Sequence, residues 1–273
     1  MIQQVDIVRK SPKPGKRIIG MIVAFLMVCG VTMLSFGLTA CVSDRDNPIV
    51  PTFPDCGFND IADVFNEVAD NETVVFVLRH AERGEDYSPA GLLTENGKAQ
   101  SRMVGEKIKS GEAAFYGHSD YERTKQTCEN IAIGRDDAFV HEQLDILHGE
   151  YFMRDTAMIK AYELNSWEAA SQWAYEGKYE RKGYYNLDKR AAEWMDSLKM
   201  HIPTMKRINV LISHDFVVMA LAVYASNRQI DLHYWINHKW INYLAGIAII
   251  IDPQDNMRFK TVCGLDTGYM ITQ

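Results

Sequence analysis

Apolar and polar positions follow two periods along this chain. Thr73-Val74-Val75-Phe76-Val77 is an uninterrupted β-branched and aromatic run, the pattern of a strand buried on both faces. Shorter apolar runs at Ala113–Gly117 and Asn209–Ile212 predict further strands. Leu244–Asp252 is a longer one, turned by Pro253-Gln254-Asp255-Asn256 into Met257–Val262 as an antiparallel edge pair. Helical periods fill the intervals. Thr94 is placed to cap a helix over Glu95–Lys109 that Gly111 ends. Thr124–Ile133, Asp155–Glu176, Leu187–His201 and Phe216–Ala225 follow. This alternation predicts an α/β fold: a three-layer α/β/α sandwich with a mostly parallel central sheet, the antiparallel edge pair near the C-terminus and a helical cap insertion over about 150–205. Residues 58–273 are enough to bury one core without splitting.

The first forty residues break the pattern. Arg9, Lys10, Lys13, Lys16 and Arg17 face one acid, Asp6, and an uncharged apolar stretch then runs from Ile18 to Ala40. A basic segment, an apolar core and small residues before a cleavage point describe an export signal. Its ending, Leu38-Thr39-Ala40-Cys41, resembles a bacterial lipoprotein signal, which implies cleavage before Cys41 and a lipid on that cysteine. An uncleaved transmembrane anchor and an ordinary cleaved signal are the alternatives. All three place the folded part outside the cytoplasm, at the cell envelope. Residues 41–57, with Pro48, Pro51 and Pro54, read as an extended tether.

Removing residues 1–40 takes away five basic residues and one acid, so the formal charge moves from −7 to −11. A chain this acidic lacks the broad electrostatic footprint of a nucleic-acid binder. An anionic ligand remains compatible wherever a few arginines converge. Of five cysteines, Cys29 lies in the apolar stretch and Cys41 at its end. Cys56, Cys128 and Cys263 form no regular disulfide framework, with a Cys56–Cys263 bridge as one option and Cys128 expected as a buried thiol. No Cys/His spacing resembles a zinc site, and His233 and His238 read as rim or packing histidines.

The chemistry concentrates at strand ends. Arg79, His80 and Arg83 follow the run at 73–77, and Ser213-His214-Asp215 follows the run at 209–212. Open α/β sheets bind ligands at the carboxyl ends of their strands. Arginine forks suit phosphate oxygens, and neutral imidazole is a competent nucleophile toward phosphorus. Two more elements lie between: Leu93-Thr94-Glu95-Asn96-Gly97-Lys98-Ala99-Gln100 and Ser119-Asp120-Tyr121-Glu122-Arg123-Thr124.

This ordered set, an Arg-His signature at 79–80, Leu-Thr-x-x-Gly-x-x-Gln at 93–100, Ser-x-x-x-Arg-Thr at 119–124 and a second histidine at 214, resembles the histidine phosphatase superfamily. Ala81 stands where the family usually has glycine. Arg83 and the His214-Asp215 pair resemble the acid-phosphatase branch, whereas the short chain resembles the mutase-type branch.

The resemblance implies a phosphomonoesterase that forms a phosphohistidine on His80. Arg79, Arg83 and Arg123 would bind the phosphoryl oxygens, and His214 would add a hydrogen bond. Asp215 or Asp145 would protonate the leaving group, with Asp215 favoured because Arg83 points to the same branch. No metal or cofactor is required, and the partner is a phosphorylated small molecule. A mutase-type phosphotransferase and a non-catalytic phosphoryl-binding lipoprotein are the competing readings. Trp167, Trp173, Tyr175, Tyr179, Tyr184 and Tyr185 serve either the core or a cap over the site.

Overall fold

The computed structural model describes residues 57–272. The export signal, Cys41, the tether and Cys56 lie outside the described residues. The strands are β1 (Asn59–Asp60), β2 (Thr73–Arg79), β3 (Phe115–His118), β4 (His141–Gln143), β5 (Ile208–Ser213), β6 (Lys239–Ile241), β7 (Ala245–Ile251), β8 (Met257–Cys263) and β9 (Tyr269–Ile271). The α-helices are α1 (Ile61–Glu67), α2 (Glu95–Lys107), α3 (Glu122–Arg135), α4 (Thr156–Ala161), α5 (Trp167–Glu176), α6 (Leu187–His201), α7 (Asp215–Ala225) and α8 (Tyr234–Asn237).

Seven strands form the central sheet in the order β1-β8-β7-β2-β5-β3-β4, and β6 with β9 forms a separate antiparallel pair. Within the large sheet β2, β5, β3 and β4 run parallel, while β7 is antiparallel to both neighbours, β2 and β8. The expected antiparallel pair therefore exists but sits inside the edge, covered by the two-residue β1, which pairs parallel with β8.

Burial follows the pleat. Val74, Phe76 and Leu78 of β2 join Val210 and Ile212 of β5 in one core under α1, α2 and α3. Val75 and Val77 join Leu211 and Ile249 in the other, under α5, α6 and α7. Every residue of β2 after Thr73 is buried, as the continuous apolar run requires. The two cores make the three layers.

Several predicted helices have different bounds, for local reasons. Helix α3 starts two residues earlier than Thr124, which places Arg123 in its first turn. The predicted helix over 155–176 is two helices. Glu163 takes a left-handed φ of 52°, and Ser166 starts α5 anew by accepting a hydrogen bond from the Ala169 N–H. Trp173 and Tyr184 stack at 4.6 Å and are buried, so they are core residues of this region.

Helices α2 and α3 approach each other through glycines. A Cβ on Gly105 would stand 2.2 Å from the Ile131 carbonyl oxygen, and one on Gly134 would stand 2.0 Å from that of Arg102. That proximity matters to function because α3 carries Arg123, and the loop behind His80 is seated on α2.

Candidate active site

Strand β2 ends by delivering Arg79 and His80 beside the end of β5. The His80 N–H donates to the Ser213 carbonyl at 3.0 Å, and the Leu244 N–H donates to the Arg79 carbonyl at 3.1 Å. Beyond them the chain is clamped by the element at 93–100. Thr94 donates from its backbone N–H to the Glu82 carbonyl at 3.0 Å and from its hydroxyl to Glu82 Oε1 at 2.7 Å. The same hydroxyl caps α2 by accepting from the Gly97 N–H. Gly97 is required there, since a Cβ would stand 2.1 Å from the Glu82 carbonyl oxygen. Ala81, by contrast, needs no left-handed backbone. It is fully buried, and its N–H donates to Thr127 Oγ1 at 3.1 Å.

His80 is 3% exposed. Its Nδ1 lies 2.8 Å from the Ala81 carbonyl oxygen, which can only accept, so hydrogen-bond accounting places the ring proton on Nδ1. Nε2 is then a lone pair, and Arg123 Nε–H donates to it at 3.3 Å. Burial, reinforced by the charge of Arg79, holds the His80 pKa well below its ordinary value of 6.5. The imidazole is neutral at physiological pH.

Three arginines surround it. Arg79 Nη1 donates to the Ile241 carbonyl at 2.6 Å, and Nη2 lies 3.7 Å from Asp215 Oδ2. Its Nε is buried and has no hydrogen-bond partner. An orphaned charged donor costs several kcal/mol unless a ligand satisfies it, so this nitrogen marks an anion site. Arg123 Nη1 is held by the Ser88 carbonyl at 2.9 Å. Arg83 is half-buried at the rim, donates to the Gly84 carbonyl at 2.9 Å, and its charge reaches both other guanidiniums.

Each arginine also lies on a tyrosine face: Arg79 on Tyr243 at 4.2 Å, Arg83 on Tyr87 at 3.5 Å and Arg123 on Tyr121 at 4.3 Å. Aromatic faces hold the guanidiniums in place without neutralising them.

His214 completes the cluster, with its ring 5.7 Å from that of His80 and 4.6 Å from Tyr121. Burial and the charge of Arg123 lower its pKa to about 4. Asp215 is the first residue of α7, directly after the cap position His214. Its carboxylate faces Arg79 and accepts from the Trp240 indole N–H at 3.0 Å. Burial would raise the Asp215 pKa. Arg79, Trp240 and His214 outweigh burial and hold it below the ordinary carboxylate value.

Asp145 is placed differently. It is exposed in a short 3-10 turn over Asp145–Leu147, and among the described residues its side chain makes no hydrogen bond or ion pair. Among the candidates, Arg79, His80, Arg123, His214 and Asp215 are brought into mutual contact, Arg83 stands at the rim, and Asp145 is not joined to the cluster. Tyr87, Tyr243 and Trp240 are site residues the sequence reading missed. Nothing in their local sequence signals it, because their contacts are made across the fold. Tyr121 sits inside the 119–124 element, two residues before Arg123, and could have been found there.

A groove of about 530 Å³, lined in part by His118, Asp120, Lys125 and His141, opens beside Ser119 and Tyr121. Among the described residues, no group of three or more His, Cys, Asp or Glu is arranged to hold a metal ion. Cys128 is fully buried, which pushes its thiol pKa up, and Cys263 is a buried free thiol touching the Asn59 carbonyl. Of the two predicted rim or packing histidines, His233 lies tilted against Tyr175 with ring centroids 3.9 Å apart, and His238 meets Tyr234 edge-on at 5.4 Å.

Comparison with known proteins fits this geometry. The family model of the histidine phosphatase superfamily, branch 1, matches residues 75–256. No curated protein matches the chain. Similar solved structures include Bacillus stearothermophilus YhfR, at 16% identity over 68% of this chain and 94% of that one, with a TM-score of 0.45. A phosphoglycerate mutase from Bacillus anthracis is 14% identical over 70% of this chain and 93% of that one, with a TM-score of 0.47. A mycobacterial glucosyl-3-phosphoglycerate phosphatase solved with inorganic phosphate is 15% identical over 71% and 97%, with a TM-score of 0.46. With more than half its length matched by the family model, this chain belongs to branch 1 of the histidine phosphatase superfamily.

Proposed function

We propose that this protein is a phosphomonoesterase that forms a phosphohistidine on His80 and is exported and held at a membrane by a lipid on Cys41. The observation that supports the chemistry most directly is the pinned tautomer of His80. With Nδ1–H on the Ala81 carbonyl, the Nε2 lone pair is available for in-line attack on phosphorus. Arg123, which touches that nitrogen in the resting site, would move its donor to a nonbridging oxygen as the substrate arrives. Arg79 Nε would gain its missing acceptor in the same event. Arg83 would reach the phosphoryl group from the rim.

Asp215 fits the proton donor better than Asp145, because it stands against Arg79 beside the phosphoryl position. It is ionised in the resting site. A bound phosphoryl dianion opposes that ionisation, so the carboxyl would take up a proton in the complex and pass it to the leaving alkoxide. In the second half-reaction the carboxylate would accept a proton from the water that attacks the phosphohistidine. The basic, apolar and small-residue order of residues 1–41 supports the export and tether. The substrate class is a phosphorylated small molecule.

The test is hydrolysis of p-nitrophenyl phosphate and a panel of phosphomonoesters by purified protein in chelator, beside His80→Ala. Turnover with release of inorganic phosphate, abolished in His80→Ala, is the expected result. Transfer of the phosphoryl group to a second organic acceptor in place of water would identify a mutase. Binding of phosphate without turnover of any ester would identify a binding protein.

A further inference from the structure

The motif at 119–124 contains two hydroxyls, Ser119 and Thr124, that the phosphoryl chemistry above leaves without a task. Both are buried, Ser119 at 1% exposure and Thr124 at 0%. Ser119 Oγ lies 2.8 Å from His214 Nε2 and 2.9 Å from Thr124 Oγ1, and it accepts from the Tyr121 N–H at 3.3 Å. Thr124 Oγ1 lies 2.6 Å from the Tyr121 carbonyl oxygen.

Each hydroxyl has one proton, which fixes the directions. A carbonyl oxygen has no proton to give, so the 2.6 Å contact is made by the Thr124 hydroxyl proton. Thr124 Oγ1 can then only accept from Ser119, so the Ser119 proton points at Thr124. Ser119 Oγ is left with lone pairs toward the Tyr121 N–H and His214 Nε2. The His214 contact therefore needs a proton on Nε2. A neutral imidazole carries one ring proton, so Nδ1 of His214 is a lone pair.

The ring's other edge is also settled. Gly149 lies against Cδ2 and Cγ of His214, where a Cβ would stand 3.1 and 3.3 Å away. Nε2 is occupied by Ser119, and Nδ1 carries no hydrogen bond in the resting site. Nδ1 is thus the ring nitrogen left for a ligand. As a lone pair it repels a phosphoryl oxygen instead of bonding to it.

We propose that the Ser119–Thr124 hydroxyl pair holds resting His214 as its Nε2–H tautomer, so that binding of a phosphoryl or similar dianion requires one proton to be taken up on Nδ1. The bond formed is Nδ1–H, with the proton supplied by solvent or by the monoanionic ester, and the resulting imidazolium donates to a phosphoryl oxygen. Ser119 and Thr124 are positioning residues in this scheme. The groups that face His214 are Arg123 on α3, His80 at the end of β2, Asp120 and Tyr121 beyond β3, His148 beyond β4 and Asp215 on its own helix. Arg123 and His148 oppose the added charge, while Asp120 and Asp215 favour it. The dianion tips that balance. The ligand part of the inference rests on the phosphatase reading, but the resting tautomer does not.

The experiment is long-range ¹H–¹⁵N correlation of the histidine rings in the purified protein, with and without sulfate. Sulfate is a dianion that does not itself titrate in the working range. The expected resting spectrum shows neutral His214 protonated at Nε2, and sulfate converts it to the doubly protonated ring. Sulfate affinity then falls about tenfold per pH unit above pH ~5. Thr124→Val removes the acceptor for Ser119, turns the Ser119 proton onto Nε2 and shifts His214 to the Nδ1–H tautomer, with a flatter pH dependence. Thr124→Ser restores the wild-type pattern. A resting Nδ1–H tautomer in the wild-type protein overturns the proposal, and that spectrum needs no variant to fold. Sulfate bound with His214 still neutral overturns the proton uptake. A protein with the Nε2–H tautomer that binds no oxyanion and turns over no ester overturns the phosphatase reading and leaves the tautomer standing.

Discussion

The guanidinium carbon of Arg79 lies over the ring of Tyr243, 4.2 Å from its centroid, and that centroid is 5.9 Å from the centroid of the His80 ring. The contact, together with the Asp215 carboxylate 3.7 Å from Nη2, holds a buried cation beside His80. Such a stack is worth about 0.5–2 kcal/mol. Tyr243→Leu should therefore raise KM for a phosphomonoester roughly two- to thirtyfold with a smaller change in kcat, while Tyr243→Phe stays near wild type. Steady-state kinetics of the pair checks this, and an equal loss in both variants would assign the effect to the phenol hydroxyl.

Asp215→Asn should lower kcat by about 10²–10⁴ for alkyl phosphates and much less for p-nitrophenyl phosphate, whose leaving group needs little protonation. Asp145→Asn should leave both rates within about twofold, because that carboxylate touches none of the cluster. The two variants measured on both substrates decide between the acids. The wild-type rate should fall on the alkaline side as the substrate-bound Asp215 loses its proton, and a rate that climbs steadily to pH 9 would contradict a carboxylic donor.

Stability should fall with acid in a window set by the two buried histidines. Both have pKa values lowered from 6.5 in the folded protein, His214 to about 4, so the unfolded chain binds more protons than the native one below pH 6.5. The neutral rings stabilise the fold fully above that pH. The stability is lost progressively as pH falls, by on the order of 3 kcal/mol for His214 alone. Denaturant titrations at pH 7, 5.5 and 4.5 read this slope. His214→Asn should flatten it, and an unchanged slope would mean the ring is not buried neutral.

Gly134→Ala should be tolerated poorly, since its Cβ would meet the Arg102 carbonyl oxygen at 2.0 Å and push α2 from α3. Overpacking of this kind costs about 1–3 kcal/mol, or roughly 2–12 °C in Tm for a domain of this size. Gly111→Ala, with nothing within 4 Å, is the matched control. Differential scanning calorimetry of the two separates close packing from a general loss of backbone freedom.

The parts legible from sequence were those with a local cause. The β2 run is apolar because both faces are covered, and the Arg79-His80 and His214-Asp215 pairs follow strands whose ends a parallel sheet brings together. The 93–100 element could be read as a helix start because Thr94 caps it within three residues. Illegible were the contacts that only the tertiary fold creates. Nothing near Tyr243 says that β7 inserts beside β2 and sets that ring over Arg79. Nothing near Trp240 says that its indole meets Asp215. The break at Glu163 was missed because the helical period continues through it, although Asn165-Ser166 carried a cap signal.

The antiparallel insertion of β7 has a consequence for the order in which the protein can become active. Arg79 is walled by Ile241, Tyr243 and Met270, and its carbonyl is tied by Leu244, all from the end of the chain. Synthesis delivers His80 well before these residues, which lie some 160 positions or more further along. Until they emerge, β2 has an open edge and the guanidinium beside His80 has no seat. A chain that lacks residues 241–270 therefore lacks the walls around Arg79, and the cluster at His80 assembles only once that segment has folded into place.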